Sequence, residues 1–108
     1  MRHYNFYTYI LTNFNQTVLY TGVTNDLERR PYEHYFRIDQ KESLTNKYKC
    51  FYLVWFERYQ YVIHAFEREK EIKGWTRDNK NKLIAEENLE WRFLNYDIME
   101  WPPKRIDS

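Results

Sequence analysis

The fold is decided by one stretch, Leu19-Tyr20-Thr21-Gly22-Val23-Thr24-Asn25-Asp26-Leu27-Glu28-Arg29-Arg30, and by Glu33-His34 just beyond it. β-Branched and aromatic residues lead into a glycine, and acidic residues and two arginines follow. This order predicts a strand and then the start of a helix. A tyrosine, a guanidinium group and an imidazole therefore lie within one short segment. Together these three side chains suit chemistry on a phosphate group.

Length and charge bound what the chain can be. Its 108 residues suffice for one hydrophobic core, so we expect a single domain over 1–108, with the core at about 5–95 and a flexible tail at 102–108. There are 17 basic and 16 acidic residues, which give a formal net charge of +1. The chain has no strong overall field that attracts nucleic acid, so any such binding requires a local patch.

Cysteine use and hydropathy indicate where the protein works. Cys50 is the only cysteine, so neither an internal disulfide nor a multi-thiolate metal site can form, which fits a reducing cytosol. Because it stands beside an apolar run, we expect Cys50 to be a small buried hydrophobe. No apolar run approaches the length needed to span a membrane. A cytoplasmic protein without a membrane partner is predicted.

Two strands are predicted at 6–12 and 17–23, joined by a turn centred between residues 14 and 15. That register sets Tyr9 directly across from Tyr20, with both side chains on one face of the sheet. Gly22 lies on the same face and leaves space beside the two rings. Paired tyrosines are also common in hairpins that have only a structural role.

A helix is predicted at about 25–36, and it places Arg30 and His34 on one face because they are four residues apart. Pro31 conflicts with a continuous helix, since an interior proline deletes a hydrogen bond and clashes with the preceding turn. Either the helix is kinked there, or it begins late with Pro31 in its first turn.

The remaining elements are simpler to predict. A surface loop is expected at 37–49, followed by a strand at 51–57 whose nearly continuous apolar run suits the central strand of a sheet covered on both faces. Residues 61–73 have helical spacing that ends at Gly74, and Glu69 is a carboxylate on the otherwise apolar stripe. A further short helix is predicted at about 78–87, and 88–101 has no clear pattern.

These features together resemble the GIY-YIG nuclease domain. Its paired signature is similar to Tyr7-Thr8-Tyr9 and Tyr20-Thr21-Gly22, and its first helix resembles the continuation through Arg30 and His34. Its glutamate-bearing helix resembles the segment 68–75. The resemblance covers roughly 6–88 and is strongest to small stand-alone bacterial members. It implies an α+β fold with a small three-stranded antiparallel sheet flanked by helices, in agreement with the three strands inferred from the residues.

The resemblance also implies a role for each site residue. Tyr9, Tyr20, Arg30 and His34 match catalytic positions, and Glu69 matches the carboxylate that holds one divalent ion, Mg²⁺ or Mn²⁺. Chemistry supports this set, because Mg²⁺ is commonly held by one or two carboxylates while water and substrate fill its remaining positions. Arginine presents a planar fork to phosphate oxygens. One tyrosine would take or relay the proton of the attacking water, the other would orient it, and the histidine would assist.

The segment 70–82 is the densest basic part of the chain and could follow a phosphate backbone. A solvated charged face explains the same pattern. The possible nucleic-acid contacts are Lys47, Lys70, Lys73, Arg77 and Lys80.

The function predicted from the resemblance is a metal-dependent endonuclease that hydrolyses DNA, with structure-selective or low sequence specificity, in repair or recombination. DNA is favoured over RNA as the partner. One alternative, motivated by Pro31, is a catalytically weak or inactive nucleic-acid-binding module on the same fold. Another is a protein that binds a partner through its aromatic surface. Glu69 could also simply pair with Arg68, Lys70 or Lys73 and hold no metal ion.

Overall fold

A computed structural model describes residues 5–36 and 48–103. Residues 37–47 of the loop predicted at 37–49, with Lys47, and the tail from 104 onward lie outside the described residues. The predicted α+β class is confirmed, because a three-stranded antiparallel sheet carries helices around it. In chain order the elements are β1 (Phe6–Thr12), β2 (Leu19–Thr24), α1 (Arg29–Phe36), β3 (Tyr52–Tyr59), α2 (Val62–Lys73), α3 (Arg77–Glu87) and α4 (Asn95–Ile98).

The predicted hairpin register was wrong by two residues. Tyr9 pairs with Gly22, and Tyr20 pairs with Leu11. The connection is longer than a tight turn because Asn13 Oδ1 accepts hydrogen bonds from the backbone N–H groups of residues 17 and 18, at 2.8 and 3.1 Å. Regular pairing therefore begins only at residues 12 and 19. A shift of two preserves the side-chain face, so both tyrosines still lie on the face that carries Gly22.

The expectation that the third strand is central was also wrong. The strand order is β2-β1-β3, so β1 is central and β3 is an edge strand. Its apolar run is buried because the strand contributes to a hydrophobic core on each face of the sheet, and the C-terminal segment covers its outer edge. Asn95 Oδ1 accepts from the Leu53 N–H at 2.6 Å, and Asn95 Nδ2 donates to the Phe51 carbonyl at 2.8 Å. Asn88 Nδ2 donates to the Val54 carbonyl at 3.0 Å. These side chains replace a fourth strand.

The two faces of the sheet have separate cores. One face packs against α2 and α3 through Ile10, Trp55, Ile72 and Ile84. On that face Thr8 Oγ1 donates to the carbonyl of Ala65 at 2.8 Å, which ties β1 to α2. The core on the other face contains residues of all three strands, chiefly Tyr9, Leu11, Tyr20 and Leu53. The tyrosines are thus on the face opposite α2.

The late start of α1 removes the conflict at Pro31. Asp26 Oδ1 accepts hydrogen bonds from the backbone N–H groups of Glu28 and Arg29, both at 3.1 Å, and this capping begins the helix at Arg29. Pro31 is then the third helical residue, where the N–H group has no intrahelical partner in any helix. Of the two predicted alternatives, the helix that begins late is therefore the one observed.

α2 and α3 agree with their predicted positions within a residue, whereas α4 lies in the segment 88–101 for which no element was predicted. α2 ends at Lys73, and Gly74 is its C-cap. The N–H of Gly74 donates to the carbonyls of Lys70 and Glu71, and its backbone is right-handed, with φ −82°. Thr76 caps α3 by accepting from the Asn79 N–H at 3.2 Å. Within 5–36 and 48–103, no helix has the length and apolar character needed to cross a membrane.

Cys50 is fully buried, as predicted, and this has a measurable consequence. Burial raises the pKa of its thiol to about 11, so almost none of it is thiolate at neutral pH. We expect the folded protein to react with a thiol reagent at least about tenfold more slowly than the urea-unfolded chain. Mass spectrometry of timed alkylation measures this ratio, and equal rates would contradict the burial.

Candidate active site

The β1–β2 hairpin brings the two signature tyrosines together. Their ring centroids lie 6.4 Å apart, tilted by 41°. Tyr9 is 1% exposed, whereas Tyr20 is only partly buried. The Tyr9 ring lies over Gly22, and a Cβ atom built on that glycine would stand 2.6 Å from Tyr9 Cζ. A glycine is needed here because any side chain would occupy the space of the ring.

Helix α1 adds Arg30 and His34 to the two tyrosines. The buried His34 ring meets Tyr20 edge-on at a centroid distance of 6.0 Å. Arg30 donates to Glu33 Oε2 at 2.7 Å and lies within hydrogen-bonding reach of the Tyr9 hydroxyl. Four side chains that were predicted to form one site therefore come together on one face of the sheet.

Burial and charge set the protonation of this group. Burial raises the pKa of Tyr9 to about 12, and the hydrogen bond from Arg30 only partly offsets that effect. Burial alone would lower the pKa of Arg30, but its contacts with Tyr9 and Glu33 outweigh this and raise the pKa. The site thus presents a neutral, hydrogen-bonding phenol next to a permanent cation.

Glu69 lies on α2, which packs against the opposite face of the sheet from the tyrosines. Its side chain is 21% exposed, and its Oε2 lies 3.4 Å from Nζ of Lys73, a pair predicted as one alternative to metal binding. Its negative charge contributes to the raised pKa of Tyr9, so the carboxylate lies within electrostatic reach of the tyrosine hydroxyl. The adjacent Arg68 turns away, to Glu57 at 3.2 Å and toward the ring of Trp55.

A depression beside these residues lies at the end of β2, where α1 and α2 both begin. We call it the β2-end depression. It has a volume of about 250 Å³ and is lined by Phe6, Val23, Thr24, Asn25, Arg29, Arg30, Val62 and Phe66. Phe6 and Val23 belong to the face of the sheet that packs against α2, since Val23 pairs with Thr8. Arg30 also lines the depression and reaches the Tyr9 hydroxyl, so it connects the depression to the tyrosines on the other face. Glu69 follows Phe66 by three residues, so it lies on the flank of α2 that borders the depression.

The predicted basic contacts are in different places. Lys70 and Lys73 are exposed on α2, on the flank that carries Phe66. Arg77 binds the hairpin connection, donating to the carbonyls of Gln16 and Thr17 at 2.9 and 3.0 Å. It therefore lies at the end of the sheet remote from α1. Lys80 is partly buried on α3. Lysines 70 and 73 are the ones next to the candidate site.

The residues present fit a single divalent ion held by one carboxylate. Among the residues that the structure describes, no group of three or more histidine, cysteine or acidic side chains could enclose a metal ion. Mg²⁺ does not require such a cage, since water and substrate oxygens usually complete its octahedron. Glu69 is partly exposed, and its partner Lys73 is itself 53% exposed, so this surface ion pair is weak enough to be displaced.

Glu33 was not predicted as part of the candidate site. Glu33 accepts from Arg30 and also lies 3.2 Å from Nε of Arg29, so it holds both guanidinium groups in place. The signal was available, because an acid three and four residues after two arginines on a helix is the spacing of an ion pair.

The fold and the site define a class of small α+β domain in which a hairpin presents two tyrosines to an arginine and a histidine on the following helix. A family model described as the GIY-YIG catalytic domain matches residues 5–83. The chain belongs to the GIY-YIG family, which is a family of nucleases that generally use divalent metal ions.

Known relatives share most of this chain. A UPF0213 protein of Natronomonas pharaonis is 37% identical over 81 residues, which are 75% of this chain and 92% of the relative. A UPF0213 protein of Haloquadratum walsbyi is 38% identical over 80 residues, 74% of this chain and 86% of the relative. The solution NMR structure of a UPF0213 protein from Bacillus halodurans aligns with a TM-score of 0.53 at 25% identity, covering 89% of this chain and 99% of that one. This chain is therefore similar to UPF0213 proteins along nearly their whole length.

Proposed function

We propose that this protein is a cytoplasmic, metal-dependent endonuclease that hydrolyses phosphodiester bonds in DNA, with structure-selective or low sequence specificity. The observation that carries the proposal is the meeting of Tyr9, Tyr20, Arg30 and His34 on one face of the sheet, with the charge of Glu69 in reach of Tyr9. A purely structural tyrosine pair would not need a partly buried cation beside it.

Each side chain has a role that its surroundings support. Arg30 binds the oxygens of the scissile phosphate, because its guanidinium group is charged at every relevant pH and is held in place by Glu33. Tyr20, which is partly exposed, takes or relays the proton of the attacking water. His34 contacts the Tyr20 ring and assists this transfer. Tyr9 remains neutral and orients Tyr20 and the water through its hydroxyl group.

Glu69 is the residue that would hold Mg²⁺ or Mn²⁺. A bound divalent ion supplies positive charge against the negative charge that develops on the phosphate in the transition state. Exposed Lys70 and Lys73, on the same helix, attract the phosphate backbone toward this position.

The alternative of an inactive binding module was motivated by Pro31. In the first turn of α1 the proline leaves the helix intact, and Arg30 still reaches the Tyr9 hydroxyl. This geometry supports turnover over binding alone.

The test is cleavage of supercoiled plasmid and of branched DNA by the purified protein, with Mg²⁺, with Mn²⁺ and with EDTA. We expect nicking that requires a divalent ion. Salt-sensitive DNA binding without cleavage under either ion would instead identify the inactive module. No affinity for DNA or RNA at low salt would refute both proposals.

The raised pKa of Tyr9 gives a prediction for its pH dependence. Since burial raises this pKa to about 12, the neutral form persists from pH 6 to pH 10, and its hydroxyl group donates or accepts throughout that range. We expect Tyr9→Phe to lower kcat by about tenfold, the cost of one hydrogen bond to a charged group. The loss should be the same at each pH, so the two rate profiles should run parallel. A loss that varies with pH in that range would show that Tyr9 itself ionises during the reaction.

A further inference from the structure

The β2-end depression has a two-part lining. Its interior is apolar and comes from both the sheet and α2, through Phe6, Val23, Val62 and Phe66. Its rim is polar and comes from the start of α1, where Arg29 Nη2 donates to Asn25 Oδ1 at 3.1 Å. Its volume is about 250 Å³. Pockets that bind drug-sized molecules are larger, at about 300–1,000 Å³. A volume of this size suits one small, partly polar group rather than a base pair.

Phe66 gives the depression an exposed aromatic surface. Its side chain is 53% exposed, whereas Ala65 before it is fully buried. Scattered exposed apolar residues are normal on any protein surface. Phe66, however, opens into a depression and stands one helical turn before the carboxylate of Glu69. An exposed ring in that position offers the face on which a nucleic acid base stacks.

The charges around the depression favour a nucleotide as its ligand over the apolar surface of another protein. Arg29 and Arg30 lie on its rim, and Lys70 and Lys73 continue along the same flank of α2. Among the described residues, Glu33 is the acid that forms salt bridges with the two arginines. Because Arg30 reaches both the Tyr9 hydroxyl and the depression, a phosphate bound there has its neighbouring base within reach of Phe66.

We infer that the β2-end depression binds one unpaired base of the substrate strand, stacked on Phe66, next to the phosphate that Arg30 holds. This inference rests on the proposed function and narrows its substrate class. A base within a continuous duplex is stacked and paired, so it enters such a depression only after leaving the helix, which costs free energy. The protein therefore prefers single strands, or junctions with unpaired nucleotides, over fully paired DNA.

The test measures binding without turnover. The full chain carrying Glu69→Gln is titrated, by fluorescence anisotropy, into a labelled single-stranded thymidylate oligonucleotide and into a fully paired duplex of the same length. We expect tighter binding to the single strand. Adding Phe66→Ala should weaken single-strand binding by about tenfold or more while leaving duplex binding unchanged, because stacking on one base is lost. Phe66→Trp should retain the affinity.

Ile63→Ala is the matched control, since Ile63 is 61% exposed on the same helix and does not line the depression. We expect it to bind both DNAs as the parent does. Equal effects of Phe66→Ala on single strand and duplex, or no effect on either, would overturn the inference. So would sedimentation showing that Phe66 holds two copies of this chain together. If the expected binding pattern is found but the protein with native Glu69 cleaves nothing, the proposed nuclease fails and the base site stands.

Discussion

Replacing Glu69 with glutamine is expected to lower divalent-ion-dependent DNA cleavage by at least about a hundredfold, because a metal ion contributes several kcal/mol of charge stabilisation in the transition state. The amide keeps the size of the side chain but removes the charge that would hold the ion. Folding should be nearly unaffected, since the ion pair with Lys73 is partly exposed and such surface pairs contribute about 0–1 kcal/mol. Plasmid nicking rates and urea denaturation measure the two effects separately.

Glu67→Gln is the matched control for this substitution. Glu67 belongs to the same helix and is exposed to solvent, and its replacement by glutamine is the same chemical change. We expect its cleavage rate to stay within about twofold of the wild type, as is usual for surface changes away from special features. Equal activity of wild type and Glu69→Gln would refute Glu69 as the metal ligand. A parallel loss in both variants would indicate a general effect of helix charge on DNA binding instead.

Local sequence predicts the hairpin face correctly even where it predicts the pairing incorrectly. β1 was placed within its observed bounds because its residues favour strands strongly. The register depended on the connection, where Asn13 accepts two backbone hydrogen bonds and lengthens the turn. Since strand side chains alternate with a period of two, an error of two residues left Tyr9, Tyr20 and Gly22 on one face.

The position of β3 could not be found from its own residues. An apolar run indicates that both faces of a strand are buried. A central strand and a covered edge strand are both buried in this way, so the run does not distinguish them. Here the cover is made by Asn88 and Asn95, which lie more than thirty positions later and in a segment without a clear pattern. Their side chains bond to the backbone of β3, a long-range arrangement that no local period encodes.

The candidate site required both local and long-range information. Arg30 and His34 follow from helical spacing, and Asp26 explains why Pro31 does no harm. Helical spacing marks Glu69 as a carboxylate on an apolar stripe, but its role as metal ligand follows from the family resemblance alone, since its position relative to Tyr9 depends on how α2 packs on the sheet. Phe66 belongs to the apolar stripe of residues 61–73, and only the fold shows that this part of the stripe borders an open depression.

Gly22→Ala is expected to damage the site through one methyl group. A Cβ atom at that position would lie 2.6 Å from Tyr9 Cζ, and the ring is 1% exposed, so it has little room to move. We expect a loss of roughly 1–3 kcal/mol in the free energy of unfolding, as for other overpacked interiors. We also expect cleavage to fall by about a hundredfold, because a displacement of about 1 Å in a catalytic group has that effect. Urea denaturation and nicking rates below the unfolding range measure these changes.

Gly74→Ala provides the control, because Gly74 is the only other glycine in the chain. Its added Cβ would meet nothing closer than the Glu71 carbonyl at 3.5 Å, and its backbone is right-handed, so alanine should stabilise the fold by about 0.4–1 kcal/mol and leave cleavage unchanged. The Tyr9→Leu background then tests the cause. If the ring is what the methyl group strikes, Gly22→Ala should cost much less stability once the ring is gone. An equal cost in both backgrounds would mean that Gly22 is required for a reason other than the close approach of Tyr9.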